Sequence, residues 1–242
     1  MHTLLPMLLA VLLTSAGAET VLQGVFCRQD ILDTQISCAQ FRAHLRYIES
    51  DLKSGKVKLL ECDRLATVPS SGEQTHEFGS VCLNGEQLEG KDREKEIESL
   101  RSKGMFAQRT FMPFLPETRD EYEYRVAKQD TWRGMRVWKI EFTPMRETDR
   151  HIRGSALVLD GTFDIVSMEF APSDLPFVVT GAGMRLSYDL VNGLWLPVSF
   201  EMDMDLRLAI IFELMRRHIR IEETYCDYNL AVPAPARTED DE

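Results

Sequence analysis

The chain has 242 residues, 44% of them hydrophobic, which is enough apolar mass to bury a core. Its 39 acidic against 28 basic residues give a net charge of −11, which disfavours phosphate backbones and argues against a nucleic-acid partner. No uncharged apolar run approaches the roughly 20 residues a spanning helix needs, so the chain is not expected to be an integral membrane protein.

The first feature is the apolar run Leu4 to Leu13, closed by the small residues Ala16, Gly17 and Ala18. This is the pattern of a secretory signal, residues 1–18, cleaved after Ala18. Residues 1–18 carry no Lys, Arg, Asp or Glu, so the mature chain keeps the whole charge of −11. No cysteine lies near the cleavage site, and a lipid-modified N-terminus is therefore not expected. The five cysteines (Cys27, Cys38, Cys62, Cys82, Cys226) would reach an oxidising compartment and allow up to two disulfides, with one thiol left over and the connectivity open. They form no CxxC pair and no Cys/His ligand spacing, so neither a redox pair nor a zinc site is expected.

Val21 to Ala39 has apolar residues at roughly helical spacing and predicts a first helix. Phe41–Leu52 and the run "KVKLLECDRLATV" form a predicted hairpin turning at Gly55, and "HEFGSVC" is a strand before an Asn84-Gly85 turn. Residues 90–104 are dense in charge and bounded by glycines, which predicts a solvated surface helix. Strand signals then repeat. "EYEYRVAKQ" precedes Arg133-Gly134, and "MRVWKIEFTP" puts Trp138, Ile140 and Phe142 on one face. "RGSALVLDGTFDIVSMEF" is a hairpin around Asp160-Gly161 carrying Leu157 and Leu159, and a further hairpin turns at Asn192-Gly193. The last strand runs through His218, and residues 231–242 form an acidic, Pro-rich tail without pattern, expected to be disordered.

The longest alternation is "LWLPVSFEMDMDLRL", residues 194–208, in which every even position is apolar, including Leu196, Val198, Phe200, Met202 and Met204. As one strand it would span about 50 Å, two to three times the usual length. Eight large apolar side chains on one face represent on the order of 12–24 kcal/mol of burial before ordering entropy. A strongly curved antiparallel sheet, with helices laid across the opening, shelters such a row without a second sheet. The expected fold is thus mainly β (α+β), an incomplete barrel covered by one or two helices, in one domain over residues 19–230. The expected cavity lining is Trp138, Ile140, Phe142, Leu157, Leu159, Leu196, Val198, Phe200, Met202 and Met204. Met202, Met204 and Met215 suit adaptable contents, although methionine is also ordinary core filler.

The segments "WKIEFTP", "GSALVLDGTFDIVSMEF" and "YDLVNGLWLPVSFEMD", in that order, resemble the C-terminal half of the LolA/LolB-like lipoprotein-sorting superfamily. The stretch from "SGKVKLLE" to "VCLNGEQLEGKDREKEIESLRSKG" is similar to the middle of secreted bacterial members. The likeness covers roughly residues 40–229 and implies a bent, incomplete barrel in the periplasm whose cavity accepts acyl chains or lipoproteins. Sensor-like members of the group imply instead an envelope protein partner.

No GxSxG, HExxH, GxxxxGK[ST] or GxGxxG pattern is present, so no enzyme activity and no cofactor are expected. Gly181 and Gly183 make only GxG, which suits a bulge or turn. Glu201, Asp203 and Asp205 read as a solvent-facing acidic row, with a divalent cation site as the alternative. Arg216 and Arg217 either hold a head-group carboxylate or phosphate at the rim or answer Glu213 and Glu222 across strands. His218 reads as part of a basic patch. The leading expectation is a periplasmic carrier for an apolar ligand, and the alternative is an interaction module without a releasable ligand.

Overall fold

The computed structural model describes residues 4–70, 74–102, 112–148, 150–210 and 213–231, with backbone only for 4–16, 208–210 and 213–214. Eleven strands form one antiparallel sheet: β1 (Cys38–Asp51), β2 (Val57–Pro69), β3 (Thr75–Leu83), β4 (Glu86–Gln87), β5 (Tyr122–Trp132), β6 (Met135–Pro144), β7 (Ile152–Leu159), β8 (Ile165–Pro172), β9 (Val179–Val191), β10 (Leu194–Ile210) and β11 (Glu213–Ala231). Helix α1 (Leu4–Gln35) precedes β1, and α2 (Gly90–Ser102) follows β4. The order across the sheet is β4-β3-β2-β1-β11-β10-β9-β8-β7-β6-β5, so the sheet is open and the last strand closes onto the first at its centre. The mainly β class, the single antiparallel sheet and the helical cover agree with the reading of the sequence.

Turn chemistry sets the hairpins. Asn192 and Gly193 both take positive φ (53° and 83°), the requirement of a tight two-residue connection whose twist matches the strands. The β7–β8 connection departs from the expected tight turn at Asp160-Gly161. It is a five-residue loop in which Phe163, not Asp160, takes positive φ beside Gly161, closed by Phe163 N–H donating to the Leu159 carbonyl.

Two boundaries differ from expectation. The first helix ends at Gln35, and Cys38 and Ala39 already belong to β1. Ala231, placed in the tail by sequence, is the last residue of β11, paired with Cys38. The remaining tail lies outside the described residues. No described helix is long and apolar enough to cross a membrane.

Both helices lie on the same face of the sheet. Val21 and Val25 of α1 join Ile140, Phe142, Ala156, Val158, Met168 and Leu186 in one buried cluster. Gly24 is the point of closest approach: a Cβ there would meet the Phe163 ring at 2.5 Å. Arg28 fixes the helix to the β7–β8 loop through buried Asp164, 2.6 Å away. At the far side, Arg119 clamps α1 by an ion pair with Asp30 at 3.1 Å while its guanidinium lies over the Phe26 ring.

Helix α2 was expected to be a solvated surface helix, and it is more than that. Ile97 and Leu100, spaced i,i+3, are buried among Leu45, Tyr47, Leu60, Cys62, Val81, Ile219 and Ile221, and only the opposite face of the helix meets water. Lys58 holds Glu96 at 2.7 Å, and Arg93 donates to the Phe78 carbonyl at 2.6 Å.

The sheet is far from flat. Trp132 of β5 and Trp195 of β10, five strands apart, have ring centroids 6.0 Å apart, whereas five inter-strand spacings in a flat sheet would separate them by about 24 Å. The hairpin tips β5–β6 and β9–β10 therefore curl together, over a small cluster of Val137, Leu159 and Val166.

Candidate functional site: a half-covered apolar row on β10

Phe200 packs against the α1 cluster and the α2 cluster alike, whereas Met202, Met204 and Leu206 pack against the α2 cluster alone. Register explains the alignment. Phe200 opposes Leu186 on β9, while Met202 and Met204 oppose Ile221 and Ile219 on β11, so the even residues from Phe200 onward share the helix-covered face. None of Phe200, Met202, Met204 or Leu206 is sealed: each is only half-buried among the described residues. The two helices cover the flanking clusters and leave a seam of large apolar side chains between them.

The structure sorts the expected lining residues into three groups. Trp138, Ile140, Phe142, Phe200, Met202 and Met204 lie on the helix-covered face, the first four against the α1 cluster. Leu157 and Leu159 do not. Their cross-strand partners are Lys139 and Val137, which alternate with Trp138 and Ile140, and both pack in the cluster under Trp132 and Trp195. Ala156 and Val158 take the places on the helix side that sequence assigned to them. Leu196 and Val198 form the third group. The β9–β10 register shifts between Pro197 and Ser199, leaving Val198 as the extra residue of a bulge. Leu196 opposes Asp189 while Phe200 opposes Leu186, so Leu196, though buried, faces away from Phe200. Pro197 is the signal: without an N–H it sits in a strand interior only at a bulge or an edge.

Beside Phe200, directly across the ladder, is Glu223. Its carboxylate and the Arg64 guanidinium are both buried, with Nη2–Oε1 at 2.5 Å and Nε–Oε1 at 2.9 Å. Tyr225 donates its hydroxyl to the other Glu223 oxygen at 2.8 Å, and Arg64 Nη1 approaches His76 Nδ1 at 2.7 Å. Burial pushes the Tyr225 hydroxyl well up, and the Glu223 charge adds to it, so the phenol stays a donor. Burial first, then the cations Arg64 and Arg101, hold His76 down at about 4. The ring is neutral at physiological pH and accepts from Arg64. Cys62, on the same face, is raised to about 11 by burial, which keeps it a protonated thiol. All five cysteines are free in the structure, so the disulfides that the sequence allowed are not formed.

The His76 shift has a stability consequence. Between about 6.5 and about 4 the unfolded chain binds a proton at this ring and the native state does not, so stability falls as pH drops through that window and flattens below it. The urea midpoint of His76→Gln should decline less over this interval than that of the parent chain. Parallel curves would contradict the assignment.

On the opposite face the acidic row is answered by bases. His218 bridges Asp205 (Nδ1, 2.9 Å) and Asp203 (Nε2, 3.2 Å), and Arg185 reaches Glu201 at 3.9 Å and Glu169 at 2.9 Å. This is a cross-strand charge ladder. Among the described residues, no three His, Cys, Asp or Glu side chains converge to hold a metal ion. Arg217 answers Glu49 on β1, and Glu222 is taken by Arg46 and Arg220; the expected answer from Glu213 lies outside the described side chains.

Comparison with known proteins follows from this geometry. Residues 91–215, from α2 to the middle of the β10–β11 ribbon, match the model of a family of unknown function, DUF5686. The chain belongs to the DUF5686 family. No curated protein matches it. Among solved structures, it is similar to a DUF1329 family protein from Desulfovibrio piger (12% identity, 90% of this chain and 94% of that one, TM-score 0.43). It is also similar to a LolA superfamily protein from Nitrosomonas europaea (10%, 90% and 94%, TM-score 0.38) and to a chain of the Pseudomonas aeruginosa MucA/MucB complex (11%, 86% and 94%, TM-score 0.28). LolA superfamily structures, the group the strand-and-turn segments resemble, are thus among those this DUF5686 chain is similar to. Likeness at this level identifies neither a ligand nor a partner.

Proposed function

We propose that this DUF5686 protein is a periplasmic binding or carrier protein that holds an acyl chain along β10, between the sheet and helices α1 and α2. The observation that carries this reading is the row Phe200, Met202, Met204 and Leu206, apolar and half-covered on the face that the helices close. Leaving such surface partly wet is unfavourable by roughly 25 cal/mol per Å², a cost that a bound hydrocarbon chain removes. Two methionines in the row adapt to chains of different length and bend. The role is binding, not catalysis, because the seam itself offers hydrocarbon and thioether surface.

A fluorescent acyl probe tests it. The folded mature protein should enhance and blue-shift the probe emission, and palmitate should reverse the change. No uptake by a protein with a native circular-dichroism spectrum would overturn the reading. A second reading, docking of an envelope protein, is favoured by Phe177, which is 98% exposed on the β8–β9 loop. Recovery of one stoichiometric partner and no lipid from envelope extract, with binding lost in Phe177→Ser, would decide for it.

A further inference from the structure

The β10–β11 ladder outruns its neighbours at one end of the sheet. Its last flanking contacts are the Arg207 N–H, which donates to the Val178 carbonyl, and the Leu52 N–H, which donates to the Arg216 carbonyl. Past them the two strands run on as a ribbon paired only with each other among the described residues, through Leu208 with Met215, Ala209 with Leu214 and Ile210 with Glu213. By sequence, seven of the eight residues from Leu208 to Met215 are apolar, and Glu213 carries the single charge. Two further apolar side chains flank the root of the ribbon: Phe177, 98% exposed beside Val178, and Leu52, 58% exposed. Exposed Val57 adjoins them at the end of the β1–β2 turn, so hydrocarbon is concentrated at this end.

The charges around this apolar end have a definite arrangement. Arg207 and Arg216 are exposed and directly opposite each other, on the last rung of the ladder before the apolar segment. Like charges so placed repel, and neither has an ion-pair partner among the described residues. Asp51 accepts from the turn amides of Lys53 and Ser54, and Asp205 is engaged by His218, which leaves Asp174 and Glu213 against Lys56, Arg207 and Arg216. A bare apolar hairpin tip in water invites aggregation, so its presence calls for something that covers it. Phe177 by itself does not choose between a protein and a lipid surface. The arginine rung and the length of the tip do. From Arg207 to Ile210 the strand advances by about 10 Å, which matches the depth of the boundary between head groups and acyl chains and falls far short of the roughly 30 Å hydrocarbon core. At that depth the arginine pair lies level with lipid phosphates, whose oxygens fit guanidinium forks and offset the repulsion.

We propose that the tip of the β10–β11 ribbon, with Phe177 and Leu52 at its flanks, docks end-on into the surface of a phospholipid bilayer and holds lipid phosphates with Arg207 and Arg216. The apolar groups supply the attraction, and the arginines set the depth. The net charge of −11 opposes adsorption of the molecule as a whole to an anionic surface, which confines the contact to this end. The proposal does not rest on the acyl-chain reading. The two are neighbours in the chain, because Leu206, the last residue of the apolar row, directly precedes Arg207, so the row runs toward the docked end.

The test uses the full mature chain and vesicles of phosphatidylethanolamine and phosphatidylglycerol. The protein should float with the vesicles. Phe177→Ser/Ile210→Asp should weaken this binding about tenfold or more and Arg207→Gln/Arg216→Gln about fivefold or more, while Leu190→Ser, at an exposed apolar position near the other end of β10, leaves it unchanged. Phe177→Trp should add an emission that brominated phospholipid quenches, and the native Trp132, Trp138 and Trp195, which lie away from the ribbon, should be spared. Absence of flotation, or equal flotation of Phe177→Ser/Ile210→Asp and Leu190→Ser, overturns the proposal, as does an unquenched Trp at position 177. A vesicle-free complex with a second copy or an envelope protein, lost in Phe177→Ser/Ile210→Asp while the native chain ignores vesicles, overturns it in favour of that partner. Circular dichroism of each variant confirms that the fold is kept.

Discussion

Replacing Glu223 by leucine is expected to lower the free energy of unfolding by about 3–5 kcal/mol, the usual loss when one partner of a buried ion pair is removed. Arg64 and Glu223 are almost completely buried, and the pair lies where the α1 and α2 clusters meet. Without the carboxylate, Arg64 keeps a full charge among apolar neighbours, and the Tyr225 hydroxyl loses its acceptor. The double variant Arg64→Met/Glu223→Leu should recover most of the loss, because hydrocarbon of similar volume substitutes well for a buried pair. Urea unfolding of the two single variants and the double variant measures this as a coupling energy. Additive losses would show that the two groups do not depend on each other.

The second large effect is at Phe200. Substitution by aspartate removes about 1.5–3 kcal/mol of apolar burial and places a carboxylate directly across the ladder from Glu223. The expected outcome is a loss of at least about 3 kcal/mol in stability together with loss of acyl-probe uptake. Because unfolding alone would abolish uptake, Met204→Gln is the decisive companion. It is half-buried, tolerates a polar amide of similar length, and should keep the native spectrum while weakening probe binding about tenfold, as expected for about 1.4 kcal/mol. Unchanged probe affinity in Met204→Gln would separate the row from the ligand.

Much of the fold was legible because β structure writes itself at period two. The hairpins around Gly55, Asn84-Gly85 and Asn192-Gly193 were readable from turn residues that tolerate positive φ, and the long β10 from its alternation. What escaped has physical causes. The alternation in residues 194–208 looked unbroken because the bulge falls at Val198, an apolar residue that keeps the pattern intact while Leu196 turns to the other face. The choice of Leu157 and Leu159 over Ala156 and Val158 favoured size over register, although β7 is apolar on both faces and only the pairing with Trp138 and Ile140 decides. Helix α2 hid its buried side because two residues, Ile97 and Leu100, suffice to anchor a short helix that is otherwise charged.

The buried ion pair was within reach of the sequence. Arg64 stands between Cys62 and Ala66, and Glu223 between Ile221 and Tyr225, each on the apolar phase of its strand. Two opposite charges on inward positions of two strands imply a buried pair, but only the order β2-β1-β11 shows that a single strand separates them. His76 joins the group through the β2–β3 pairing, where it opposes Ala66. Sheet order, unlike strand position, is not written in local periodicity.

The most direct test of the acyl-chain seam is photo-cross-linking with a palmitate analogue carrying a diazirine on its chain, followed by peptide mapping. The account predicts adducts within residues 199–207 of β10 and on α1 or α2, competed by unlabelled palmitate. Adducts confined to the exposed apolar residues Leu52, Val57, Phe177 and Leu190, or labelling that palmitate does not reduce, would contradict it.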